Sequence, residues 1–188
     1  MPSFRPRNKS ESTDGPRMKR LILMRHGKSS WSSDAENDHA RPLAPRGEED
    51  VPRMADWLAQ EGWQPDLIIT STAVRTMRTA EYCAAAFGLP ATALRPEARL
   101  YEAAADEVLG VVQDAPARVD TLLVIGHNPG LEMLVEGLAG HPIPVARKQK
   151  PFPTAAVARF LIRKGNWHFQ LPACELLDIT RPKSLHKN

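Results

Sequence analysis

Three unbroken apolar runs constrain this chain more than any other feature: Leu21-Ile22-Leu23-Met24, Leu67-Ile68-Ile69 and Leu122-Leu123-Val124-Ile125. A strand with one wet face alternates apolar and polar side chains, so an unbroken run predicts a strand covered on both faces. Helical spacing fills the intervals. Val51, Met54, Ala55 and Leu58 recur at helical steps up to Gly62, and Pro52 predicts a helix that is kinked there or begins close to it. Val74, Met77, Ala80, Ala84 and Phe87 predict an amphipathic helix closed by Gly88, with Ser71 and Thr72 as N-cap candidates. Asp106 to Gln113 and Leu131 to Leu138 predict two more, the last with Pro129 near its start. Arg99-Leu100-Tyr101 reads as a short strand. Ala155 to Ile162 and Trp167 to Leu171, around Lys164-Gly165-Asn166, read as a C-terminal hairpin. Strands alternating with helices predict an α/β fold, a three-layer α/β/α sandwich on a mostly parallel sheet.

A chain of 188 residues suits one domain with a substantial core. Residues 1–18 are polar and basic and predict a disordered tail, 19–180 the domain, and 181–188 a second basic tail. The isoelectric point of about 9.0 misleads. Residues 1–20 carry a net +4 and 181–188 a net +3, which leaves −4 on residues 21–180 of a chain whose total is +3. Nucleic-acid binding needs a basic face on the fold itself, so a nucleic-acid partner is not expected. No apolar run approaches the roughly 18 residues of a membrane span, so no membrane partner is expected either. The first residues lack the apolar stretch of a secretory signal, and a cytoplasmic location is the expectation. Cys83 and Cys174 have no Cys or His at metal-ligand spacing and read as reduced thiols. No metal and no cofactor are expected.

In open α/β sheets, ligands bind beyond the C-terminal ends of the strands. Each apolar run here leads to chemistry: Arg25-His26-Gly27, then Ser71-Thr72 with Arg75, then Gly126-His127. The three together describe a phosphate site. Arg25 and Arg75 can each give paired hydrogen bonds to phosphoryl oxygens. Arg75 falls in the first turn of its helix, where free N–H groups and the helix dipole also favour an anion. Gly27 leaves room for backbone to approach the ligand. Neutral imidazole attacks phosphorus, and clustered arginines disfavour the imidazolium form, so His26 is the candidate nucleophile. His127 can donate to the transferring oxygens. The leaving group needs an acid, for which Glu102 is the candidate and Asp106 the fallback.

These blocks resemble the histidine phosphatase superfamily. Arg25-His26-Gly27-Lys28-Ser29-Ser30-Trp31 matches its opening. Arg41-Pro42-Leu43 with Gly47, Ser71-Thr72-Ala73-Val74-Arg75 with Thr79-Ala80, and Gly126-His127-Asn128-Pro129-Gly130 resemble its later blocks. Phe152-Pro153-Thr154-Ala155 resembles a segment of the compact SixA-type phosphohistidine phosphatases. The resemblance spans roughly residues 19–178 and implies a phosphoglycerate mutase-like fold. It implies that His26 becomes phosphorylated, that Arg25, Arg75 and His127 line the phosphate pocket, and that Glu102 stands at the proton donor. Lys28 and Ser32 depart from the family, standing where many members have Glu and Asn.

Other candidates read more plainly. His39, His141, His168 and His186 show no convergent partners, Arg78 reads as exposed, and Trp31 reads as a packing anchor. Only 24 positions separate Glu102 from His127. Relatives acting on small sugar phosphates place a long covering insertion there, so the expected substrate is a phosphohistidine on a protein surface. A small phosphoester is the alternative, and a phosphate-binding module without turnover is the second class of reading. Oligomeric state is not legible.

Overall fold

The computed structural model describes residues 18–31, 34–145, 149–163, 165–169 and 174–186. The N-terminal tail up to residue 17, Ser32 and Lys164 lie outside the described residues. Strands β1 (Lys19–Arg25), β2 (Leu67–Thr70), β3 (Leu94–Pro96), β4 (Thr121–Gly126), β5 (Val157–Ile162) and β6 (Cys174–Thr180) form one sheet, ordered β3-β2-β4-β1-β5-β6. The first four are parallel to one another. β5 runs antiparallel to β1, and β6 antiparallel to β5.

The apolar runs explain the layering. Successive strand side chains point to opposite faces. Ile22, Met24, Ile68, Leu123 and Ile125 therefore face helices α1 (Pro45–Gln60) and α2 (Val74–Ala86), meeting Met54, Leu58 and Cys83. Leu21, Leu23, Ile69, Leu122 and Val124 face α3 (Ala105–Gln113) and α4 (Gly130–Ala139), meeting Val108, Val111, Leu134 and Leu138. Burying each such side chain stabilises the fold by about 1.5–3 kcal/mol. The result is the expected three-layer α/β/α sandwich with a mostly parallel sheet.

Several local expectations change. α1 begins at Pro45 and runs through Pro52, which costs one helical hydrogen bond that the buried Val51, Met54, Ala55 and Leu58 outweigh. Ala73, not Ser71 or Thr72, is the N-cap of α2; Thr72 Oγ1 meets His39 Nε2, and Ser71 Oγ meets His127 Nε2. Arg99-Leu100-Tyr101 is not a strand. Ala98–Leu100 is a short 3-10 helix, and the edge strand is the preceding Leu94–Pro96. β5 pairs with Cys174–Thr180; of the expected second strand, Trp167–Phe169 are not in a strand, and Gln170 and Leu171 lie outside the described residues. Trp167 is instead buried with its Nε1 donating to the Val119 carbonyl at 3.1 Å, so its apolar content serves the core and not a strand. The C-terminal segment is not wholly a tail: Pro182–His186 form a 3-10 helix with Pro182 buried and Leu185 packed on the α1–α2 side. Among the described residues, no helix is long and apolar enough to cross a membrane.

Candidate active site

The sheet brings three strand ends together. His26 follows β1, Ser71 follows β2 and His127 follows β4. The His26 N–H donates to the Gly126 carbonyl and the Ser71 N–H to the Ile125 carbonyl, both at 3.1 Å, so the ladder continues one residue past the strands. Four of the expected groups, Arg25, His26, Arg75 and His127, converge at this edge.

His26 is 7% exposed, and its ring centroid lies 5.0 Å from that of His127. Its Nδ1 is 2.6 Å from the Gly27 carbonyl oxygen. A carbonyl only accepts, so Nδ1 carries the proton and Nε2 keeps its lone pair. Burial, opposed by the Gly27 bond and reinforced by His127, Arg75 and Arg25, pushes the His26 pKa down to about 3. At neutral pH the ring is uncharged, with its proton on the nitrogen turned to Gly27 and a lone pair on the other.

His127 is fixed by the same logic. Arg75 Nη2 lies 3.4 Å from its Nδ1, and an arginine only donates. Nδ1 is therefore the acceptor, and Nε2 donates to Ser71 Oγ at 2.9 Å. Burial first, then Arg75, pushes the His127 pKa down to about 4.

Arg25 is held by the segment after residue 149. Its Nη1 donates to the Phe152 carbonyl at 3.0 Å, which also accepts from Asn128 Nδ2 at 3.0 Å. The Ala155 N–H reaches back to the Arg25 and His26 carbonyls at 3.1 and 3.0 Å. Arg25 Nε is buried without a hydrogen-bond partner among the described residues. A buried guanidinium N–H lacking a partner is costly, and an anionic oxygen would satisfy it. Burial lowers the Arg25 pKa, with Glu132 opposing.

Arg75, in the first turn of α2, is 6% exposed. Its Nη1 donates to the Asp38 carbonyl at 2.5 Å and its Nη2 to Asp38 Oδ2 at 2.8 Å. Arg41 Nη1 reaches Asp38 Oδ1 at 2.6 Å, and the Tyr101 hydroxyl reaches Oδ2 at 3.1 Å. Burial raises the Asp38 pKa, but these donors outweigh it and bring the carboxyl down to about 2. Asp38 and Tyr101 are the residues that sequence reasoning missed. The only available signal was the placement of Asp38 three residues before Arg41, within a stretch without periodicity.

Gly27 has a packing reason that its sequence context did not show. A Cβ there would lie 2.6 Å from Val51 Cγ2 and 3.1 Å from Leu43 Cδ2, so glycine lets α1 approach the strand end. Its N–H donates to Thr79 Oγ1 at 3.1 Å. Glu102 is exposed, in the left-handed region at φ 54°, with no hydrogen bond to the convergent groups among the described residues. Asp106 is exposed in the first turn of α3. His39 does have partners: Nε2 meets Thr72 Oγ1 at 2.9 Å, and its ring lies 4.8 Å from Tyr101, itself 5.6 Å from His127. Trp31 is no packing anchor. It is 78% exposed, with the Arg41 guanidinium 3.5 Å from its ring centroid. Arg78 is exposed, as expected, and so are His141 and His168; the His186 side chain lies outside the described residues.

A sheet edge that sets an unprotonated histidine nitrogen among two arginines and a second histidine has the groups that phosphoryl transfer requires. Residues 21–118 match the model of the histidine phosphatase superfamily (branch 1), and the chain belongs to that superfamily and is a phosphatase. An uncharacterized protein of Mycobacterium tuberculosis is 34% identical over 158 residues, covering 82% of this chain and 96% of its own. Phosphohistidine phosphatase SixA of Escherichia coli is 27% identical over 162 residues, covering 83% and 95%. The structure of the protein histidine phosphatase SixA complexed with tungstate superposes with a TM-score of 0.72 at 25% identity, covering 88% of this chain and 99% of that one.

Proposed function

We propose that the chain removes phosphate from phosphohistidine on a protein through a phosphorylated His26. The observation that carries this reading is the Nδ1 bond from His26 to the Gly27 carbonyl, which leaves Nε2 as the free nucleophile among Arg25, Arg75 and His127. In the first step, Nε2 attacks phosphorus and the bond to the leaving nitrogen breaks. The two guanidiniums carry the charge on the three phosphoryl oxygens. His127 exchanges its bond to Ser71 for one to a phosphoryl oxygen. Water then attacks the phosphoenzyme, releasing orthophosphate and restoring neutral His26.

Two observations support a phosphohistidine substrate. The residues between Glu102 and His127 are spent on the fold: α3 buries Val108, Val111 and Val112 on the sheet, and β4 follows from Thr121. That leaves no long insertion between Glu102 and His127 to cover the strand ends against a bulky substrate. Glu102, the expected acid, lies exposed. A phosphohistidine protonated on its other ring nitrogen expels a neutral imidazole and needs no proton from the enzyme at that step. Phosphoester substrates, whose alkoxide must be protonated, make the heavier demand on an acid.

The test is a comparison of a phosphohistidine peptide with p-nitrophenyl phosphate and small sugar phosphates. The peptide is expected to have the highest kcat/KM, and a sugar phosphate exceeding it would overturn the substrate reading. His26→Ala is expected to abolish both turnover and the acid-labile phosphoenzyme. Full activity in that variant would remove His26 from the nucleophile's place.

A further inference from the structure

We propose that Asp38 is a positioning residue of this site, holding the end of the Arg75 guanidinium so that its side edge faces the phosphoryl group beside His127. This rests on the catalytic reading above. An arginine fork has two useful edges: the end, formed by Nη1 and Nη2, and the side, formed by Nε and Nη2. Asp38 takes the end edge completely, with its backbone carbonyl on Nη1 at 2.5 Å and Oδ2 on Nη2 at 2.8 Å. The second Nη2 hydrogen points toward His127 Nδ1 at a long 3.4 Å. Among the described residues Arg75 Nε donates no hydrogen bond. The edge left for an anion is therefore the one on the His127 side, where the nucleophile also lies.

Asp38 is itself anchored. Arg41 Nη1 holds Oδ1 at 2.6 Å and the Tyr101 hydroxyl holds Oδ2 at 3.1 Å. Arg41 is tied in turn to the segment after β1, with Nε on the Ser30 carbonyl at 2.8 Å and Nη2 on Ser29 Oγ at 2.7 Å. The Val74 N–H donates to the His39 carbonyl at 3.0 Å, which pins the same loop to the start of α2. Every oxygen of Asp38 thus has a donor, and the carboxylate joins the chain around His26 to the helix that carries Arg75. A guanidinium on a long flexible stem gains a single direction only from such a fixed partner, and misplacement by about 1 Å costs on the order of 100-fold in rate.

The test compares wild type with Asp38→Ala and Asp38→Asn. It uses steady-state kinetics on p-nitrophenyl phosphate, calorimetric binding of orthophosphate, and thermal melting. Asp38→Ala is expected to lower kcat by about 100-fold, with a smaller change in KM, and to weaken orthophosphate binding by about 10-fold. Asp38→Asn keeps a side-chain oxygen for Arg75 and the backbone carbonyl, and should recover most of both. Tighter orthophosphate binding with unchanged kcat in Asp38→Ala would overturn the proposal, because Asp38 would then be a competitor for Arg75. An Asn variant as impaired as the Ala variant would overturn it too, since charge and not orientation would be the cause. If Asp38→Ala does not fold, Tyr101→Phe, which removes one anchor of Oδ2, is expected to show the same kcat loss in smaller degree; an unchanged kcat there counts against the proposal. A wild type that binds orthophosphate but hydrolyses neither p-nitrophenyl phosphate nor a phosphohistidine peptide overturns the catalytic reading alone, and the binding comparison still decides the place of Asp38.

Discussion

The imidazole of His26 owes its tautomer to one short contact and its neutral state first to burial. Its Nδ1 holds the ring proton and donates it to the Gly27 carbonyl, and burial with the nearby cations holds the ring neutral far below the usual histidine range, with a pKa down at about 3. His127 is brought down to about 4 for the same first reason. The kcat/KM profile reports the free enzyme. After correction for substrate ionisation, it is expected to stay flat from pH 7.5 down to about 5, with an acid limb near the lowered values. A step centred on the ordinary histidine value near 6.5 would contradict a buried neutral nucleophile. At this scale the four convergent residues were legible in sequence, because each lies at or just beyond the end of an apolar run. Asp38 and Tyr101 were not. Asp38 lies in an aperiodic stretch, and its value comes wholly from Arg75, which is 37 residues away in sequence.

Elements meet at this site through close backbone approach. α4 starts at Gly130, where a Cβ would lie 2.0 Å from the Ala103 carbonyl oxygen and 3.0 Å from two backbone carbons. The contact is with backbone, so no side-chain rotation relieves it. Gly130→Ala is expected to destabilise the fold by about 1–3 kcal/mol, read from urea melts, because the segment carrying Tyr101 and Glu102 must move off α4. A stability within about 0.5 kcal/mol of wild type would show that the Ala103 segment yields to a methyl group without cost. Helix α1 is the converse case. Its apolar spacing was legible from Val51 onward, yet its first turn at Pro45 and its passage through Pro52 were not. Proline's local cost argued for a boundary, and only packing on the sheet outweighs it. Likewise, the Trp167 region has strand-like composition but enters the core from a loop, and Cys174–Thr180, with half-buried residues along it, takes the place beside β5.

At the scale of the whole molecule, two buried neutral histidines tie stability to pH. A histidine whose folded pKa is depressed binds fewer protons folded than unfolded, between the two values. The stabilisation is therefore complete above about pH 6.5 and is lost as pH falls toward the folded values of about 3 and 4. Thermal melts are expected to show Tm falling steadily from pH 7 to pH 4.5, with less of that fall in a His26→Phe, His127→Phe double variant that still folds. A Tm independent of pH over that range would mean that the rings charge freely in the folded state. The three apolar-run strands, the layering and the ends at which chemistry gathers follow from residue order alone, because an apolar run has one low-energy destination, between two covering layers. Which loop carboxylate seizes Arg75, why Gly27 is a glycine, and that Trp31 stands in solvent while Trp167 is buried follow only from the tertiary structure. Those outcomes depend on which atoms far apart in the chain come within a few ångströms of each other, and hydrogen bonds and packing have no range beyond that distance.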